Sequence, residues 1–581
     1  MLRSRLLLLV LLLCFQGHLL LAQSAASSTP LEKTAPDTAF QNGSRFRLSK
    51  LTPQQVKNLT ALGQVWGFLK YYHPAVAGGQ YNWDAELFRL LPKVLASSNQ
   101  QQRSETLSNW VTSLGPVAAC APCAAAPANP VRMAADLTWM EDKKLYSKAL
   151  QRQLKHIQAN RYQGKPYYVV PGGPGNPTFP QEAPCAQQTY PDAGLRILGL
   201  YRYWNVIQYY FPYKYAIGEN WQQVLPEFLP RFIEATDALQ YRLVALTLFA
   251  RIHDTHATVI PDPLLTAYAG EYAVAAALQF IGGQPVVVRV RKDGLVVRPP
   301  LEPGDIIQQV DGVSVGALLK QRLPRAAGSN PGAQLATIAS GLLRGATPQV
   351  QLKILRANQP LTVMAPRFKL GTQPPVRPAV DDTTYRFLTP TVGYFTMASI
   401  TKAKLPAILK AFQQTKGIVV DMRNYPGEFV SYVLSTYFIT QPTPFVKFTA
   451  FDPTYPGRFI EEPPMALPPD STLTYAGQLV VLVNESTLSQ AEFNAMALRS
   501  TPRCTILGSQ TAGADGDVSR IVLPGNLTTR MSGIGVYYPD GRETQRVGIV
   551  PDVEMRPTAQ GMREGQDELL EKARQLIESK P

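Results

Sequence analysis

An internal duplication constrains this chain more than any other feature. Tyr71-Tyr72-His73-Pro74 aligns with Tyr209-Tyr210-Phe211-Pro212 at an offset of 138 residues, and the same offset pairs Trp66 with Trp204, Asn82-Trp83 with Asn220-Trp221, and Leu91-Pro92 with Leu229-Pro230. Matches at one constant offset on both sides of a turn mark a repeated helical unit, about 62–118 and 200–256. The aromatic residues recur at helical spacing, which predicts a packed core. The copies differ at their ends: the second closes with His253-Asp254-Thr255-His256, where the first has Gly115-Pro116-Val117-Ala118. Packing would serve both copies alike, so polar groups confined to one copy point to chemistry there.

The rest of the chain sets the context for that chemistry. Its 581 residues, 45% apolar and 17% charged, exclude a disordered or acidic solvating protein and allow several compact units. Arg3 and Arg5 precede the apolar run Leu6 to Phe15, which predicts a signal peptide over 1–22, a linker over 23–50 and a helical region over 51–267. Ten helical residues reach only about 15 Å, half a bilayer, so no transmembrane anchor is expected after cleavage. The expected location is periplasmic or secreted. The net charge is +15, yet Lys and Arg are scattered rather than gathered in a tract, which argues against nucleic acid as a partner. Cys120 and Cys123 can pair as a small disulfide in an exported protein. His253 and His256 lack the companion ligands of a metal site, and neither a metal nor an organic cofactor is expected.

A β-rich unit follows over 268–370, with a strand at Pro285 to Val290 and a turn, strand, turn pattern in Leu301-Glu302-Pro303-Gly304-Asp305-Ile306-Ile307. From about 380 to 581, apolar strands alternate with helical stretches, Val392 to Met397, Gly417 to Asp421 and Gln478 to Asn484, which is an α/β pattern. In open α/β sheets chemistry gathers where strands end. Two ends are loaded here: Asp421-Met422-Arg423-Asn424-Tyr425-Pro426-Gly427, and the segment from Asn484 to Glu492. Ser489-x-x-Glu492 has the spacing of a helix capping box. A serine at a helix N-terminus is also where an oxyanion would meet free N–H groups and the positive end of the dipole.

Four strings, Asn484 through Glu492, Leu507-Gly508-Ser509-Gln510-Thr511-Ala512-Gly513-Ala514, Pro539-Asp540-Gly541 and Val547-Gly548-Ile549-Val550-Pro551-Asp552, resemble the core of the tail-specific proteases, or C-terminal processing peptidases. The Leu301 to Ile307 string resembles part of a PDZ domain. The resemblance covers roughly 195–575 and implies a crotonase-like α/β catalytic core over 380–581, preceded by a PDZ-like unit and the duplicated helices. It implies a serine endopeptidase that hydrolyses unfolded or C-terminally exposed polypeptides, which the expected signal peptide would make an exported one. By position Ser489 is the nucleophile, the N–H groups of Gly427 and Gln490 form the oxyanion hole, and Leu301, Gly304 and Asp305 meet substrate. The lysine base of many members is missing, because Thr511-Ala512-Gly513-Ala514-Asp515 stands where they have Thr-x-Gly-Lys-Gly. A serine without a base is a poor nucleophile. The tricorn branch draws a histidine from a pair like Thr255-His256, which makes His256 the expected base. That branch's orienting glutamate falls on Gln545, leaving Glu543, Asp254 or Glu492 as the third member. A catalytically inactive peptide-binding scaffold is the alternative.

Overall fold

Helices dominate the first half of the chain. The computed structural model describes residues 37–579 apart from 121–122, 124–126, 292–294, 296, 373–375, 377–383 and 471–472, so the expected signal peptide lies outside the described residues. Six helices set the frame: α1 (Pro53–Tyr72), α2 (Trp83–Leu95), α3 (Gln100–Ser113), α4 (Ala193–Tyr210), α5 (Trp221–Glu234) and α6 (Ala238–Ala250). Asn82, Asn99, Asn220 and Asp237 cap α2, α3, α5 and α6 by accepting a backbone N–H. Trp66 and Trp83 each donate an indole N–H to the other's carbonyl (3.1 and 3.0 Å), and Trp204 and Trp221 do the same (2.9 and 3.1 Å). Every residue of α4 is buried, the mark of a central helix. Cys120 and Cys123 are disulfide-bonded. Among the described residues no helix is long and apolar enough to cross a membrane.

The helical core continues into a hairpin far along the chain, since Ile521, Leu523, Leu527 and Met531 pack with Tyr201 and Trp204. Between helices and hairpin an antiparallel sheet of eight short strands spans Tyr272 to Lys369, including β1 (Ala276–Ile281), β2 (Gln284–Val290), β3 (Ile306–Val310), β4 (Gln349–Arg356) and β5 (Gln359–Lys369). With helix α7 (Pro331–Gly341) it encloses its own core of Val287, Ile307, Leu342 and Leu352.

The last part is an α/β layer built on a six-stranded sheet in the order β6 (Tyr385–Thr389), β7 (Val392–Thr396), β8 (Gly417–Asp421), β9 (Gln478–Val483), β10 (Cys504–Gly508) and β13 (Val553–Glu554). β6 pairs antiparallel and the remaining pairs are parallel. Burial on both faces explains why β8 and β9 read as unbroken apolar runs. Helix α8 (Gln490–Arg499) covers one face and α9 (Glu568–Glu578) the other. The hairpin that reaches the helical core is β11 (Val518–Leu523) with β12 (Leu527–Ser532).

At the C-terminal end of β8, Arg423 is held between Asp421 (2.7 and 2.9 Å) and Asp567 (2.7 and 2.9 Å), which ties the strand end to the N-cap of α9. Removing the cation strands two carboxylates, one of them buried. Arg423→Ala should therefore cost about 3–5 kcal/mol, read as a lower urea midpoint. An unchanged midpoint would show that water already screens the triad.

Candidate active site

Ser489 stands where β9 hands over to α8. The connection is pinned by Thr487, whose Oγ accepts the Asn484 N–H (3.0 Å) and donates to Met422 O (2.9 Å) at the end of β8. Ser489 has φ 57° and ψ −119°, a backbone state that side chains rarely adopt and that costs about 1–3 kcal/mol. Its N–H is held between Ala514 O (3.0 Å) and Glu492 Oε2 (3.1 Å). Gln490 follows as the first residue of α8, where a backbone N–H has no intrahelical acceptor and the dipole is positive. Ser489 and Gln490 both line a cavity of about 550 Å³.

Glu492 organises the backbone behind Ser489. Its buried carboxyl accepts from Ser489 N, Gly513 N (2.7 Å), Ala514 N (3.0 Å) and the Thr511 hydroxyl. Burial pushes this carboxyl above the usual range, against the pull of those four donors. Gly548 makes the approach possible: at φ 64° its missing Cβ would lie 2.3 Å from Thr511 Oγ1 and 2.9 Å from Glu492 Oε1. Glu492 thus fastens residues 511–514 to the head of α8.

His256 follows α6 on a segment laid along β12, where Ile260 N donates to Thr528 O (2.9 Å) and Val259 bridges Thr529. Its Nδ1 lies 2.9 Å from Ser532 Oγ and 3.5 Å from Asp254 Oδ1. The Ser532 hydroxyl donates to Asp254 Oδ1 (3.1 Å), and Asp254 also accepts Ser532 N (2.6 Å) and His256 N (3.0 Å). With the hydroxyl proton given to Asp254, Nδ1 must be the donor to Ser532 Oγ. That tautomer leaves Nε2 bare, and Nε2 is buried with no hydrogen-bond partner, so in this conformation it is not bonded to Ser489 Oγ either. Burial alone would raise the Asp254 carboxyl, yet the His256 contacts and the two N–H donors bring it below the usual range.

The segment 511–514 is the common seam. Thr255 Oγ1 donates to Ala512 O (3.1 Å), Ser489 N to Ala514 O (3.0 Å), Arg546 N to Gly513 O (2.8 Å) and Asn330 Nδ2 to Thr511 O (2.8 Å). Thr255 is further locked to Ser329 from the eight-stranded unit: Thr255 N donates to Ser329 Oγ (2.9 Å) and Ser329 N to Thr255 Oγ1 (2.9 Å). Ser329→Ala leaves the buried Thr255 N–H unpaired. It should lower stability by about 1–3 kcal/mol in a denaturant titration; no loss would mean that water takes the vacated position.

Several expected site residues have other duties. The Gly427 N–H donates to Met397 O (2.8 Å), so in this conformation it is not open to an oxyanion. Leu301 is 3% exposed inside the core of the eight-stranded unit, and Asp305 is paired with Arg356 (2.7 and 2.8 Å). Gly304 abuts the helix Ala559–Glu564 so closely that a Cβ would lie 2.4 Å from Ala559 O. This turn therefore packs the unit against the core instead of offering a peptide groove. Glu543 is engaged by Arg132 and by Tyr215 (2.9 and 3.0 Å). Gln545 is buried with both side-chain amide atoms unpartnered. Of the three acids left open by the sequence, Asp254 is the one bonded into the His256 network. Ser532 and Ser329 escaped the sequence reading, and Asp515 carried no role in it; an acid in the small-residue run from Ala512 to Gly516 was the sole local signal for any of them.

Comparison with known proteins bears on the same region. Residues 391–555 match the sequence profile of peptidase family S41. A stretch of 113 residues, 19% of this chain, is 30% identical to 19% of a protein of Chlamydia trachomatis serovar D. A stretch of 81 residues, 14% of this chain, is 35% identical to 19% of the carboxy-terminal-processing protease of Bartonella bacilliformis. The chain therefore spans only 19% of the length of each of these curated relatives. Mature CPAF complexed with lactacystin superposes with a TM-score of 0.53 at 15% identity, over 67% of this chain and 99% of that one, which is a likeness of fold.

Proposed function

We propose that this chain, whose residues 391–555 match the sequence profile of peptidase family S41, is an exported serine endopeptidase acting on unfolded or C-terminally exposed polypeptides. The observation that carries the reading is Ser489: a serine in a strained backbone state, at the head of a helix and opening on a cavity. Ser489 Oγ attacks the scissile carbonyl, and His256 Nε2 takes the hydroxyl proton and returns it to the leaving amine. Asp254 and Ser532 hold the imidazole by Nδ1 and stabilise the imidazolium. The Gln490 N–H and the α8 dipole receive the oxyanion. Gly427 adds a second donor once substrate draws its N–H from Met397 O. Water then hydrolyses the acyl-enzyme by the same base.

In this reading the 380–581 region is a crotonase-like core, the repeated helices carry His256 to it, and the unit over 268–370 is PDZ-like. Capture would use the edge strand β1 beside α7, by addition of the peptide as a further strand. Gln279 on that strand donates to Glu485 (2.8 Å) in the β9–α8 connection, a short route from capture to cleavage. A silent peptide-binding scaffold is the second reading, favoured by the occupied Gly427 N–H. Incubation of the purified protein with reduced, unfolded casein separates the two: new peptide termini support the enzyme, and binding without cleavage supports the scaffold.

A further inference from the structure

The cavity beside Ser489 is chemically one-sided. Phe429, Tyr432 and Phe493 contribute aromatic walls, and Glu462, Asp515 and Asp517 contribute three carboxyls. No Lys, Arg or His occurs among its described lining residues, although the chain has a net charge of +15. Glu462 and Asp517 are exposed, whereas Asp515 is 2% exposed. Asp515 Oδ1 accepts the Gly516 N–H (2.6 Å), and Oδ2 is buried with no hydrogen-bond partner.

A buried carboxyl oxygen with nothing to accept is costly, and such groups persist where a function uses them. Burial, and then the nearby Glu492, push the Asp515 carboxyl well above its usual range, so the group is short of positive charge. A cationic side chain would supply it through a charge-assisted hydrogen bond. The aromatic walls suit the apolar stem of such a side chain, and their faces attract its charge.

We propose that this cavity receives the residue on the acyl side of the scissile bond and selects lysine or arginine, with Asp515 accepting from the cationic tip. The proposal rests on Ser489 being the nucleophile, and its test keeps the two claims apart. Quenched fluorescent peptides that differ only in that residue are assayed with the full-length protein, alongside fluorophosphonate labelling of Ser489. Lysine and arginine peptides should exceed leucine and glutamate peptides in kcat/KM by about 30-fold or more, and Asp515→Asn should lower the lysine-to-leucine ratio by a similar factor. If both substrates decline together in Asp515→Asn, the residue serves catalysis or folding and the proposal is overturned. Should that variant fail to fold, the wild-type profile still decides, because labelling of Ser489 with cleavage after apolar or acidic residues overturns the substrate class alone. Absence of both labelling and cleavage overturns the peptidase reading and this proposal together.

Discussion

Ser489→Ala should lower kcat by a factor on the order of 10⁶ while leaving the protein folded, because the alanine removes the atom that attacks and nothing nearby replaces it. The Thr487, Glu492 and Ala514 contacts that shape the turn use other side chains and the Ser489 backbone N–H, so they survive the substitution. Stability should stay within about 1 kcal/mol. The positive φ adds a second readout. Alanine inherits the strain of serine at φ 57°, whereas glycine adopts that conformation freely. Ser489→Gly should therefore be as inactive as Ser489→Ala but more stable by about 1 kcal/mol, net of the greater freedom of glycine in the unfolded chain. Transfer of the lost activity to Ser486→Ala, with Ser489→Ala active, would move the nucleophile three residues upstream.

His256→Ala should be nearly as severe, on the order of 10⁵-fold or more in kcat, since serine and base act as a unit and neither works alone. Asp254→Asn should cost about 10⁴-fold in kcat, because an amide can donate to Ser532 Oγ and reverse the order of donation that leaves Nε2 bare. The carboxyl also links the site to pH. Asp254 lies below its unfolded-state value, so it contributes stability above the ordinary carboxylate range near 3.9, and that contribution is lost as pH falls through the lower folded value. The wild type should lose stability on the acid side more steeply than Asp254→Asn. Equal acid slopes would take the charge of Asp254 out of the account, and full activity in His256→Ala would take the imidazole out of the mechanism.

How much of this was legible in the sequence follows from the range of the forces involved. Strands β7, β8 and β9 could be read almost to the residue, because a parallel strand buried on both faces is a short unbroken apolar run. The proposed base for Ser489 was visible only through two oddities: a histidine pair in one repeat and an alanine in place of a lysine. Ser532 was not visible, being an ordinary strand residue that meets His256 across 276 positions of chain. Nor could the sequence show that Arg356 claims Asp305, or that Met397 O claims the Gly427 N–H, since both partners arrive through tertiary folding. The Leu301 turn misled for the same reason. Its leucine and glycine fit a peptide-binding turn and a packed corner equally well, and only the helix Ala559–Glu564 lying against it distinguishes the two.

The central claim is that Ser489 is a nucleophile activated by His256, and the most direct measurement is mass spectrometry of the purified protein after reaction with a fluorophosphonate. The account predicts one adduct, on the peptide that contains Ser489, formed readily in the wild type and at least about 100-fold more slowly in His256→Ala. An adduct on another serine, no adduct at all, or an equal rate in the two proteins would contradict it.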